Sequence, residues 1–134
     1  MNKKVLIVLV AVVLIAAVAV ILFVFVLGDS EPKIVRTEYA PGEYFVVNVK
    51  DTNPQRYLKT TLVLVLNTDK LEDFLEDNTS LIRDTINKVL RNMDESVFYE
   101  TDMLQIKTEI CAALNEILEI DNITDILVRD IVVQ

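Results

Sequence analysis

The chain has 134 residues, 52% of them hydrophobic, a formal net charge of −8, no histidine and one cysteine. Without histidine there is no Ser-His or Cys-His triad and no imidazole metal site, and a lone cysteine cannot close an intramolecular disulfide. The net acidity argues against a nucleic-acid partner, because phosphate backbones repel it.

The first predicted element is a membrane span. Val5–Leu27 is an unbroken apolar run, VLIVLVAVVLIAAVAVILFVFVL, preceded by Lys3 and Lys4 and followed by Gly28 and Asp29. Its twenty-three residues make about 35 Å of helix, enough to cross a hydrocarbon core of about 30 Å. Its β-branched content disfavours a helix in water, but in lipid the backbone has no other partner. A cleaved signal peptide needs a shorter apolar stretch of about 7–15 residues and a small-x-small site. Leu27, Gly28, Asp29 and Ser30 offer no such site, and Cys111 lies too far downstream for a lipoprotein box. Ala11, Ala16, Ala17 and Ala19 are read either as a helix-contact face or as the alanine common in spans. The short basic tail, residues 1–4, favours a cytoplasmic N-terminus and an external C-terminal domain. On the far side Lys33 and Arg36 are interleaved with Asp29, Glu31 and Glu38.

Residues 28–43 read as a linker, with Pro32, Pro41, Gly42 and mixed charges. Fully extended it reaches about 50 Å. Residues 44–134 are the folded domain, one core's worth of chain. Lys3 and Lys4 contribute two positive charges to the total of −8, so the part beyond the span is near −10. Tyr44–Val49 is a β-rich run closed by Asp51, Thr52, Asn53 and Pro54. Arg56–Asn67 follows as a longer strand, with Leu58, Thr60, Leu62, Leu64 and Leu66 on one face. Tyr57, Lys59, Thr61, Val63 and Val65 share the other face, a pattern for a strand covered by helices on one side. The short connection makes these two strands an antiparallel hairpin.

A helix comes next, with Asp69 and Glu72 at capping-box spacing. Its apolar face runs through Leu71, Phe74, Leu75, Ile82, Ile86, Val89, Leu90 and Met93. Asp77-Asn78-Thr79-Ser80 weakens its middle and predicts a kink or break. Glu72, Asp73, Glu76 and Asp77 read as a solvated face, since calcium loops need alternate ligands and a turn glycine. After an irregular stretch, residues 92–101, a second helix is predicted over 102–119, with Asp102 and Gln105 repeating the capping spacing. Its inward stripe is Met103, Ile106, Ile110, Ala113, Leu114 and Ile117. Cys111 in this helix reads as a small buried hydrophobe, with an intermolecular disulfide as the alternative. Asn122–Val133 is a closing strand, which must be paired in a sheet. The fold class is α+β: a single N-terminal transmembrane helix and a small extracytoplasmic domain with an antiparallel β-hairpin, two helices and a C-terminal strand.

With glycine only at 28 and 42 there is no glycine-rich phosphate loop. No catalytic, cofactor-binding or metal-ligating set emerges. The profile is that of a membrane-tethered binding or assembly module rather than an enzyme.

The order and content of these elements resemble the FliL family of flagellar basal body-associated membrane proteins. The resemblance is carried by the basic tail and single span, and by the strands PGEYFVVNV (41–49) and RYLKTTLVLVLN (56–67). Ser80-Leu81-Ile82-Arg83-Asp84-Thr85-Ile86 is similar to the family's p-x-I-R-D-x-I stretch. The closing ITDILVRDIVVQ (123–134) is similar to its V-x-x-V-x-x-x-x-F-V-I-Q, and Met103–Leu118 suits its second helix. The chain departs from the pattern before the second helix, at Asn92–Ser96 and Asp102, where the family commonly has a Ser/Thr-rich turn and a glycine. It departs again at Ile131, where an aromatic is common. The resemblance implies a stomatin-like (SPFH) domain outside the cell membrane at the basal body. It also implies association with stator units of the MotA/MotB type and assembly into homo-oligomeric rings that support torque and swarming. Family-matching positions are Phe45, Asn48, Tyr57, Leu58, Arg83, Asp84 and Gln134, each of which a structural role also explains. Arg83 and Gln134 are the first choices for roles beyond packing. The alternatives are a generic membrane-anchored scaffold, or a stomatin-like accessory subunit of another envelope complex.

Overall fold

The computed structural model describes residues 2–28 and 35–134. Asp29, Glu31 and Lys33, which entered the orientation argument, and Pro32 of the expected linker lie outside the described residues. Two units are compact in themselves, residues 1–33 and 34–134.

The first unit is helix α1, Lys3–Gly28, with no buried side chain along its 26 residues. It is the one helix among the described residues long and apolar enough to cross a membrane. Its length is about 39 Å at 1.5 Å per residue.

The second unit is an antiparallel sheet with helices on one face. Strand β1 (Thr37–Tyr39), β2 (Phe45–Asn48), β3 (Tyr57–Leu66) and β4 (Ile123–Val133) enclose helices α2 (Glu72–Asp77), α3 (Thr79–Asn92) and α4 (Leu104–Leu118) in chain order. β3 is central. It pairs with β4 along Leu58–Leu66, so β1 and β2 must share its other edge, β1 at Leu64–Leu66 and β2 at Tyr57–Thr60. β1 falls within the segment expected as linker. Three residues are too few to show a period, and their strand state depends on Leu64–Leu66 being free to pair.

The β3 alternation is as expected, with Leu58, Thr60, Leu62, Leu64 and Leu66 all buried toward the helices. The opposite face changes character along the strand: Tyr57 and Lys59 are exposed, while Val63 and Val65 are buried. The core joins the β3 leucines to Ile82, Ile86 and Leu90 of α3 and to Ile106, Ile110, Leu114 and Leu118 of α4. A short 3-10 turn, Glu95–Tyr99, adds Val97 and Phe98 within the stretch expected to be irregular.

The expected break falls at Asn78. Its Nδ2 donates to the Phe74 carbonyl at 2.8 Å, and the Thr79 hydroxyl donates to the Glu76 carbonyl at 2.8 Å. Short polar side chains that bind nearby carbonyls compete with the helix ladder in this way. Neither expected capping box forms. α2 starts late, with Leu71 at its cap and no side-chain cap bond. At α4 the cap is Met103 in the left-handed region, and Asp102 Oδ1 accepts the Leu104 N–H at 3.2 Å. Gln105 turns to Glu109 instead.

The α4 stripe also differs from expectation. Ile117 is 48% exposed, and Leu118 is buried in its place. The buried positions step by four residues, a row inclined to the helix axis, so the contact line drifts around α4 as it crosses the sheet. Ile117 would be inward only for a stripe parallel to the axis.

Candidate functional site

The sequence-matched residues fall into two groups on the domain. The first surrounds Arg83 on α3. Its Nη1 donates to the Pro41 carbonyl and its Nη2 to the Tyr44 carbonyl, both at 2.9 Å. The guanidinium carbon lies 4.3 Å from the centroid of the Phe45 ring, which is fully buried beneath it. Arginine's planar fork can hold two acceptors and an aromatic face at once, which lysine cannot. Between the two carbonyls lies Gly42 at φ +133°, where a Cβ would overlap Arg83 Nη1. The glycine is needed for its backbone region and for the space. Tyr39 adds a second tie, its hydroxyl 2.7 Å from Thr79 Oγ1. Ala40–Tyr44, Thr79 and Arg83 line a shallow depression of about 450 Å³. Arg83 thus fastens the β1–β2 turn onto α3. Asp84 beside it points away and pairs with Lys88 at 2.7 Å, both exposed.

The second group is a row across one end of the sheet. Asn48 is paired with Tyr57, and Tyr57 exchanges both backbone hydrogen bonds with Gln134, at 2.8 and 2.9 Å. Leu58, next along β3, is fully buried in the core. The backbone of Gln134 therefore holds the last strand in register, while its side chain is exposed. The two groups are separate: Arg83 and Phe45 sit on the helix side, whereas the Tyr57 side chain faces away from it.

Sequence reasoning passed over Asn115. Its Nδ2 donates to the Ile123 carbonyl at 2.9 Å, and its Oδ1 accepts the Ile123 N–H at 3.1 Å. The side-chain amide thereby takes the place of a neighbouring strand at the start of β4. The available signal was an asparagine in a helix interior, where its propensity is poor. Asn115→Ala strands both groups of the buried Ile123 and is expected to cost about 1–3 kcal/mol, measurable by urea denaturation.

Electrostatics are concentrated at the surface. The Glu95 carboxylate accepts a hydrogen bond from Arg56 and holds that exposed guanidinium above its ordinary value. Cys111 is half-buried, and desolvation, helped by Asp125 and opposed by Lys107, pushes its thiol up. A raised thiol pKa means less thiolate at a given pH. Alkylation of Cys111 by iodoacetamide is therefore expected to be slower than that of a free thiol at pH 8, and to level off at a higher pH than a free thiol does. Among the described residues no three His, Cys, Asp or Glu side chains converge as a metal site.

The family model for the flagellar basal body-associated protein FliL matches residues 39–134, from the end of β1 to the last residue. This chain belongs to the FliL family. The match covers both residue groups and every strand and helix of the domain except most of β1. Comparison with curated proteins gives no match. FliL is a flagellar accessory family rather than a known enzyme family, and membership gives the chain a role associated with the flagellar basal body. The apolar α1 ahead of the FliL domain fits a membrane-anchored protein.

Proposed function

We propose that this FliL-family chain is a single-pass protein of the bacterial cell (inner) membrane, with its N-terminus in the cytoplasm and its domain outside. There it associates with MotA/MotB-type stator units at the basal body. Copies assemble laterally into a ring or scaffold that favours the engaged, ion-conducting stator and so supports torque, motility and swarming. The observation that carries this reading is the family match across the folded domain. An apolar helix with no buried side chain supports the anchoring. Tethering to one membrane raises the effective concentration of neighbouring copies, so a weak lateral interface suffices for assembly.

The test is removal of the protein from flagellated cells. Loss is expected to lower torque per motor in tethered-cell rotation assays, reduce swarming, and shorten the dwell of fluorescent stator units at motors. Unchanged torque and stator dwell would overturn the stator role and favour a generic envelope scaffold or a stomatin-like accessory subunit. A reporter fused after Gln134 that is active only in the cytoplasm would overturn the orientation.

A further inference from the structure

The two outer edges of the sheet differ in what closes them. Hydrogen-bonded and non-hydrogen-bonded pairs alternate along an antiparallel ladder. Tyr57 and Gln134 form a hydrogen-bonded pair. Val133 and Ile131, opposite Leu58 and Thr60, therefore turn their N–H and C=O groups away from β3. On the other side Val49 donates to Arg56, so Val46 and Asn48 turn theirs outward. The start of the β4 edge is capped from within: Asn115 takes both backbone groups of Ile123, and Asp125 Oδ1 accepts the Ile126 N–H at 2.8 Å. The outward backbone groups of Ile131 and Val133, and those of Val46 and Asn48, have no partner among the described residues.

We propose that the open end of β4 pairs, in parallel, with β2 of a second copy, so that the sheets of neighbouring copies continue into one another. This pairing rests on the assembly reading above and supplies its interface. β2 and β4 are each antiparallel to β3 and hence parallel to each other. Adding β2 of one copy to β4 of the next keeps both chains running the same way, which suits copies tethered in one membrane. Pairing β4 with β4 would turn one copy end for end.

The side chains fix the register. Val46, Lys59 and Val132 form a row across the outer face, and the two valines at its ends are 50% and 46% exposed. Setting Val132 beside Val46 of the next copy continues that row as an apolar contact. In this register Val133 donates to the Val46 carbonyl, while the N–H groups of Val46 and Asn48 reach the carbonyls of Ile131 and Val133. The Ile131 N–H meets the Tyr44 carbonyl, whose second lone pair is left by Arg83. The two surfaces are different, so each copy can engage two neighbours, and the contact extends or closes into a ring.

The test uses the full chain in its native membrane, with Cys111→Ser removing the natural thiol. Within one copy positions 46 and 132 are two strand spacings apart, about 9.6 Å, beyond the reach of about 7 Å for a disulfide. A chain carrying both Val46→Cys and Val132→Cys is expected to give a ladder of dimers, trimers and larger species on mild oxidation. Neither single variant should self-link, but a mixture of the two should give dimers. Val133→Pro removes an N–H that has no intrachain partner, and is expected to abolish the ladder while the domain stays folded by circular dichroism. Self-linked dimers from either single variant would overturn the parallel pairing. So would copies that stay clustered by energy transfer between labelled chains yet give no ladder, an outcome that leaves the assembly reading standing. Copies found singly by stepwise photobleaching would overturn both.

Discussion

Gly42→Val is expected to lower the stability of the full chain in detergent by about 3 kcal/mol. The left-handed-side φ of +133° costs a non-glycine residue about 1–3 kcal/mol, and its Cβ must displace Arg83 Nη1. Displacement forfeits two charge-assisted hydrogen bonds to carbonyls, at 2.9 Å each, and the contact with the Phe45 ring. Arg83→Ala alone should cost about 2 kcal/mol, because Arg83 is only partly buried and water replaces some of what is lost. Arg83→Lys should recover little, since an ammonium cannot bridge both carbonyls while lying flat on the ring. The two sites share one contact, so the double variant should lose about 1 kcal/mol less than the sum of the singles. For a domain of this size 1 kcal/mol moves the melting temperature by about 4–8 °C, well within thermal-melt resolution. An Arg83→Ala melt that superimposes on the wild type would refute the clamp and free Arg83 for a partner-binding role.

Ile110→Ala and Ile117→Ala should behave in opposite ways, although the two residues lie on the same side of α4. Ile110 is fully buried between the sheet and α3, so its truncation leaves a cavity and should cost about 3–4 kcal/mol. Ile117 is about half exposed, and its truncation should stay within about 0.5 kcal/mol. Urea midpoints at constant slope measure both. Equal losses at the two positions would mean that α4 lies parallel to the strands rather than inclined across them. Ile117→Ala is also informative under motor assays: a large functional loss with unchanged stability would identify the exposed face of α4 as a contact surface.

Much of the domain is legible in the amino-acid sequence because the information is local. The even residues of β3 announce a buried face through strict alternation, and the break at Asn78 follows from side chains that bind carbonyls three or four residues away. The capping boxes fail for a different reason. Asp69 and Glu72 have the right spacing, yet helix start depends on where the preceding loop leaves β3, and α2 begins too late for Asp69 to serve. The expectation for Ile117 fails because periodicity gives a helix its apolar side but not its crossing angle.

The sequence by itself determined the order of the chain's parts: a long apolar helix, followed by an acidic α+β body whose strand and helix periods are written into neighbouring residues. Tertiary structure alone decided the rest, because each decisive contact joins groups distant along the chain. Arg83 meets Pro41 across 42 positions. β1 is a strand only because Leu64–Leu66 offer it an edge. The start of the β4 edge is capped because α4 brings Asn115 against Ile123. No local pattern encodes these contacts, since a hydrogen bond is set by where two groups arrive and not by how either is spaced from its neighbours.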